Sequence, residues 1–176
     1  MRLFFFGSLL DPDLFELVIG RPIERFDHAP AVIDGWARHK AIGEDYPILV
    51  PRPDGRVPGR LLDGFTAREI DRCHFFEGAD YEAAPLTVRV VATERFAPGA
   101  YEAHAYFSTG SLADAGEPWT LTDWRAREKP LAMVQAEAFM ALYDTHTGAE
   151  ADDRWEEVKA WAQARFEREA ADQPIA

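Results

Sequence analysis

The sequence predicts an α+β fold: a small, mixed, closed β-barrel with flanking helices and a C-terminal helical extension. Three observations point there. Within the first 110 residues, apolar strand-like runs are separated by Gly, Pro and Asp. Only two helical patterns interrupt them, in the order β-α-β-β-β-α-β-β, too few helices for a doubly wound sheet. After Gly110 the texture changes to helical spacing.

The elements follow in order. Residues 2–6, ending in "LFFF", read as a buried strand that stops at Gly7-Ser8. Asp11-Pro12 is a helix start, with Asp as N-cap and Pro at the first helical position; Leu14, Leu17 and Val18 give the helix an apolar face. From about 28 to 65, "APAVIDGWARHKAI", "YPILVP" and "VPGRLLDGF" read as strands. Thr66-Ala67-Arg68-Glu69 is a capping box, so a helix starts near Ala67; Gly78 ends it near Glu77 as a left-handed C-cap. Strands over 85–93 and 101–109 complete the barrel.

"SLADAGEPWTLTDWR" reads as a loop or short turn. Residues 130–147 and 152–169 read as two amphipathic helices. Leu131, Val134, Ala138, Met140 and Leu142 stripe the first, and Trp155, Val158, Ala162 and Phe166 the second. The expected division is a barrel domain over 1–110 and an extension over 111–176. The extension packs on the barrel or on a second subunit, the latter making a homodimer.

Composition excludes several classes of function. The 176 residues carry a net charge of −12, from 31 acidic and 19 basic side chains. Nucleic acid and anionic membranes both require clustered cations, so neither is an expected partner. A single cysteine, Cys73, excludes an internal disulfide and a Cys-based zinc site. The histidines at 28, 39, 74, 104 and 146 fall in different elements at no recognised ligand spacing, and no phosphate-cradling Gly motif occurs. No metal or cofactor is therefore expected. The opening apolar run lacks a small-residue cleavage site, and no apolar stretch approaches membrane length. A cytoplasmic location is the expectation.

Two places could carry chemistry. The Phe6-Gly7-Ser8-Leu9 turn resembles a nucleophile elbow only superficially, because the flanking glycines are missing around Ser8. Its backbone amides, between a strand end and a helix start, are suited to a carboxylate-sized anion, and Gly7 allows close approach to the main chain. The second place is Glu77. With Ile70 and Cys73 it lies at i, i+3 and i+7, on the buried stripe of its helix. Facing inward, it would be costly to ionise and its pKa would rise toward neutrality, as suits a proton-transferring group. At a frayed helix end it would instead bend out to water.

Together these stretches resemble the gamma-glutamylcyclotransferase-like family over about residues 2–108. The matching pieces are the opening turn after "LFF", the "DYPILVP" and "VPGRLL" strands, "IDRCHFFEGADY" with Glu77, Gly78 and Tyr81, and "AHAYF" with Tyr106. The family fold is a small mixed barrel, and its best-known enzymes release 5-oxoproline from gamma-glutamyl compounds. The resemblance implies a small-molecule gamma-glutamyl substrate, its α-carboxylate held by the Gly7, Ser8 and Leu9 amides. It implies Glu77 as general acid/base, with Tyr81 and Tyr106 lining the pocket as hydrogen-bond donors. The pattern departs from the family at three points. Phe6 replaces the tyrosine of the opening motif, Glu82-Ala83-Ala84 stands where many members carry an arginine, and the helical tail exceeds the minimal module. Two alternatives share this framework: a non-catalytic module binding a small carboxylate, and a small-amide hydrolase.

Overall fold

The chain forms a closed five-stranded mixed barrel with six helices gathered around it, as seen in a computed structural model that describes residues 1–171. The barrel strands are β1 (Leu3–Phe5), β2 (Asp27–Ala41), β3 (Pro47–Asp63), β4 (Tyr81–Val90) and β5 (Gly99–Ser108). They lie side by side as β3-β1-β5-β4-β2, and β2 pairs back onto β3 to close the ring. Only β1 and β5 run parallel, meeting at Leu3 and His104. Closure leaves the barrel strands no unpaired hydrogen-bonding edge over the paired registers.

β1 explains the apolar opening of the chain. Leu3 and Phe5 point toward a helix-covered core with Leu14, Phe15 and Val18 of α1 (Pro12–Ile19). Phe4 and Phe6 point the other way, into the barrel with Ala29, Ile33, Val57 and Val88. A strand buried on both faces cannot alternate with polar residues, so it reads as a continuous apolar run. Gly59 on β3 is required by the same crowding: a Cβ there would stand 2.2 Å from the Phe5 carbonyl oxygen and 2.6 Å from the Phe4 ring.

The three strands expected between 28 and 65 are two. β2 and β3 form one long antiparallel hairpin, and its register shifts between Asp34 and Trp36. "YPILVP" and "VPGRLLD" are halves of a single strand joined through residues 52–55, whose Pro and Gly gave the appearance of a break.

The first two expected helix starts are in place. Asp11 caps α1 by accepting from the Asp13 and Leu14 amides. Thr66 and Glu69 form the reciprocal capping box of α2 (Ala67–Glu77). Gly78 departs from the expected cap. It has φ 62° and ψ −164°, a positive φ with extended ψ that is essentially confined to glycine, and not the left-handed helical conformation.

Beyond Gly110 the expected loop is ordered. β6 (Asp114–Pro118) pairs with the distal end of β2, and α3 (Leu121–Arg127) follows, capped by Thr120 on the Asp123 amide. The helix expected over 130–147 is shorter: α4 spans Lys129–Met140. After it, successive tight turns carry the chain to Thr147, which opens α5 (Gly148–Asp153) with a second capping box. The buried face of α4 is Ala136, Phe139 and Met140; Leu131, Val134 and Ala138 are only half-buried. α6 (Trp155–Ala171) buries Ala162 and half-buries Trp155, Val158 and Phe166, as its spacing predicts. Residues 172–176 of the expected extension lie outside the described residues. Among the described residues no helix is long and apolar enough to cross a membrane.

Candidate active site

A cavity of about 310 Å³ opens where the end of β1, the end of α2 and the C-terminal helices converge. The opening turn and Glu77, 70 positions apart, both line it.

The turn forms one wall. Residues Ser8–Leu10 make a single 3-10 turn, whose first internal donors are the amides of Leu10, to the Gly7 carbonyl at 3.0 Å, and Asp11, to the Ser8 carbonyl at 2.8 Å. The Gly7, Ser8 and Leu9 amides precede those donors and so have no acceptor within the turn. Gly7 has φ −109°, so positive φ is not what selects glycine. Space is: a Cβ on Gly7 would stand 3.0 Å from Cγ of Pro47. Part of the room left by the missing side chain is thus taken by the protein itself.

Phe6 lines the cavity while burying its ring among the barrel residues. Its carbonyl accepts from Nη1 of Arg38, whose Nε donates to the Trp119 carbonyl at 3.1 Å. A guanidinium therefore sits behind the turn and makes that wall electropositive. Arg38 carries no motif in the sequence; only the curvature of β2 brings it there.

Glu77 is the last residue of α2, with Cys73 buried one turn earlier on the same stripe. Glu77 is half-buried and lines the cavity. No hydrogen-bond or ion-pair partner within the described residues holds its carboxyl. Desolvation pushes the pKa up from 4.5 to about 8. The carbonyl end of the α2 dipole acts in the same direction. The carboxyl faces the cavity and not bulk water.

The two tyrosines stand at this end of the cavity, but their hydroxyls have partners. Tyr81 donates to the Pro47 carbonyl at 2.9 Å. Tyr106, on β5, pairs with Nδ1 of His74 at 3.0 Å and lies against the Cys73 thiol. Burial, first of all, pushes both phenols well above their usual range, with the Glu77 charge adding to it. Both rings wall the pocket, and the Tyr81 hydroxyl joins β4 to β3 while the Tyr106 hydroxyl joins β5 to α2.

Sequence reasoning missed the third wall. Asp45 and Tyr46 come from the turn before β3; Trp124, Gln135 and Phe139 from α3 and α4; Asp152 and Trp155 from α5 and α6. Asp152 Oδ2 accepts from the Ala79 amide at 3.0 Å, pinning the turn that follows Glu77. A Cβ on Gly78 would stand 2.6 Å from Asp152 Oδ1, which adds to the backbone conformation that already calls for glycine after Glu77. The Thr147-x-x-Glu150 pattern could have located α5 in the sequence; nothing local shows that Asp152 turns toward Ala79. Burial, then the Glu44 and Glu128 charges, push the Asp45 carboxyl up to about 6.

The gamma-glutamyl cyclotransferase, AIG2-like, family model matches residues 3–126. The chain belongs to this family. It is 29% identical over 142 residues to protein AIG2 C of Arabidopsis thaliana, covering 81% of this chain and 78% of that one. It is 28% identical over 138 residues to AIG2-like protein C of the same plant, covering 78% and 77%. Among solved structures it resembles two Arabidopsis thaliana proteins determined in solution. One has a TM-score of 0.55 at 23% identity, covering 84% of this chain and 86% of that one. The other has a TM-score of 0.54 at 22% identity, covering 82% and 93%. These two establish the shared fold. The match to the family model runs past Gly110 through β6 and into α3, so the family module includes the first part of the expected extension.

Proposed function

We propose that this chain is a cyclotransferase releasing 5-oxoproline from a gamma-glutamyl amine, amide or short peptide. The observation that carries the proposal is the single cavity lined both by the donor-bearing turn and by an enclosed, unpartnered carboxyl.

The Gly7, Ser8 and Leu9 amides, with Arg38 behind them, hold the substrate's α-carboxylate. The α-amine then lies toward Glu77. The substrate's α-amine, in its neutral form, attacks the γ-carbonyl carbon of the same molecule while ionised Glu77 takes one proton from its nitrogen. A C–N bond forms, closing a five-membered ring, and the carbonyl oxygen takes up the negative charge. When the carbonyl re-forms, the bond to the leaving nitrogen breaks, and Glu77 returns its proton to that nitrogen. The products are 5-oxoproline and a free amine. Water is not consumed. Nucleophile and electrophile belong to one molecule, so the protein's task is to fold the substrate and move one proton. A carboxyl with a pKa of about 8 can both accept and return that proton near neutral pH.

The test is product analysis with a set of gamma-glutamyl amides, following 5-oxoproline and glutamate separately. 5-Oxoproline from the native chain and its loss in Glu77→Gln are expected. Free glutamate without the cyclic product would make the protein a hydrolase. Saturable binding without turnover, unchanged in Glu77→Gln, would make it a carboxylate-binding module.

A further inference from the structure

We infer that the leaving group is an amine with an apolar stem and a second positive charge, and without a carboxylate, selected by the acids and aromatic rings lining the cavity. This rests on the cyclotransferase function proposed above and specifies its substrate.

The acidic residues lining the cavity are Asp45, Glu77, Asp80 and Asp152, of which Glu77 holds its proton near neutral pH; among its described lining residues there is no Lys, Arg or His. Asp80 Oδ1 accepts from the Ser111 hydroxyl at 2.6 Å and Asp152 Oδ2 from the Ala79 amide at 3.0 Å, both neutral donors. Asp45 carries no ion pair within the described residues. Arg38 and Lys159 lie outside the lining and have carbonyl or carboxylate partners, although the Lys159 charge partly offsets that of Asp45. Arg38 serves the Phe6 and Trp119 carbonyls, and Lys159 reaches Glu44 at 3.5 Å and Glu156 at 2.8 Å.

The cavity therefore has one electropositive place, the opening turn, and the substrate's own α-carboxylate fills it. A second carboxylate on the leaving group would enter an acidic field that Lys159 offsets only in part, whereas an ammonium would be attracted by it. The crowding that raises the Asp45 pKa has the same origin, and a bound cation would relieve it. The rest of the wall is apolar. Phe76, Phe139, Trp124 and Trp155 offer contact to a hydrocarbon stem and ring faces to a cation. Phe139 and Trp155 brace each other edge-on at 5.4 Å, so this part of the wall is preformed. A volume of about 310 Å³ accommodates the glutamyl part and a short stem.

Three gamma-glutamyl amides of matched length test the inference: those of butylamine, 1,4-diaminobutane and 4-aminobutyrate. They share the scissile bond and differ at the far end in being neutral, cationic or anionic. The readouts are kcat/KM for 5-oxoproline formation by the native chain and affinity for Glu77→Gln by calorimetry. The diamine compound is expected to exceed the carboxylate compound by about tenfold or more in both readouts, with butylamine between them. Asp152→Asn and Asp45→Asn, each isosteric, should narrow that ratio, and 0.5 M salt should narrow it further. Equal use of the three compounds, or preference for the carboxylate, would overturn the inference while leaving 5-oxoproline formation intact. Should none yield 5-oxoproline, the cyclotransferase function fails, and the affinity order for Glu77→Gln still decides the charge preference of the cavity.

Discussion

Two carboxylates, at opposite kinds of helix end, are both withdrawn from water. Asp11 caps the N-terminus of α1 and is 1% exposed. Burial alone would raise its pKa. That is outweighed by Lys129 Nζ at 2.8 Å, Arg125 Nε at 2.6 Å and the Leu14 amide, and the group ends below the usual carboxylate range. Glu77 sits at the C-terminus of α2, where the dipole repels its charge and no side chain compensates. The comparison separates an acid whose charge is compensated from one whose charge is not. The first is surrounded by donors and holds α1, α3 and α4 together; the second has no partner among the described residues and lines the cavity.

The largest effect expected from breaking this contrast is on turnover. Glu77→Gln should lower 5-oxoproline formation by about 10²–10⁴-fold, while far-UV circular dichroism stays unchanged. A rate within a few-fold of the native chain would remove Glu77 from the mechanism.

Next comes stability against pH, where the two acids act with opposite sign. Glu77 rises from 4.5 to about 8 on folding, so between those values the native state keeps a proton that the unfolded chain has released. Its destabilisation is absent below pH 4.5, grows through the window and is complete above pH 8, on the order of 2–4 kcal/mol. Glu77→Gln should therefore be more stable than the native chain at pH 8.5 and no more stable at pH 4, as urea titrations at both values would measure. Asp11 behaves inversely: its lowered pKa supplies stability above 3.8 that is lost as pH falls through its native value. A Glu77→Gln gain that does not vary with pH would break the assignment of the raised pKa to Glu77.

Asp11→Ala removes a cap and leaves Arg125 and Lys129 without their carboxylate. Both cations are partly solvated, at 44% and 23% side-chain exposure, which moderates the loss to about 2–3 kcal/mol in unfolding free energy. Asp11→Asn, which keeps a cap acceptor, should lose less.

Smaller still is Gly78→Ala, expected to cost about 1–3 kcal/mol because its φ and ψ lie in a region essentially confined to glycine. Part of that cost should disappear in a Gly78→Ala, Asp152→Ala double variant, since Asp152 Oδ1 occupies the place of the new Cβ. Strict additivity would show that the two residues do not press on each other. Thr66→Ala, which opens the α2 capping box remote from the carboxyl, should cost only about 1 kcal/mol and leave the turnover pH profile in place.

Much of the barrel was legible because its signals are local. Asp11-Pro12, Thr66-x-x-Glu69 and Gly78 mark helix ends within a few residues. Residues 52–55 misled, because Pro and Gly mark a bulge and a turn alike. α3 and α5 went unread although Thr120-x-x-Asp123 and Thr147-x-x-Glu150 are capping patterns, since each introduces a helix too short to show periodicity.

The sequence by itself determined that β1 is a buried strand, that it ends in a turn at Gly7-Ser8, and that Glu77 shares a stripe with Cys73. Each depends only on spacing along one element. Tertiary structure alone decided that Arg38 stands behind the turn, that Asp152 grips Ala79, and that Asp45 and Trp155 share a cavity with Glu77. Periodicity states which face of an element is covered. It carries no information about what covers it, because that partner is selected by closure of the barrel and by packing between residues far apart in the chain.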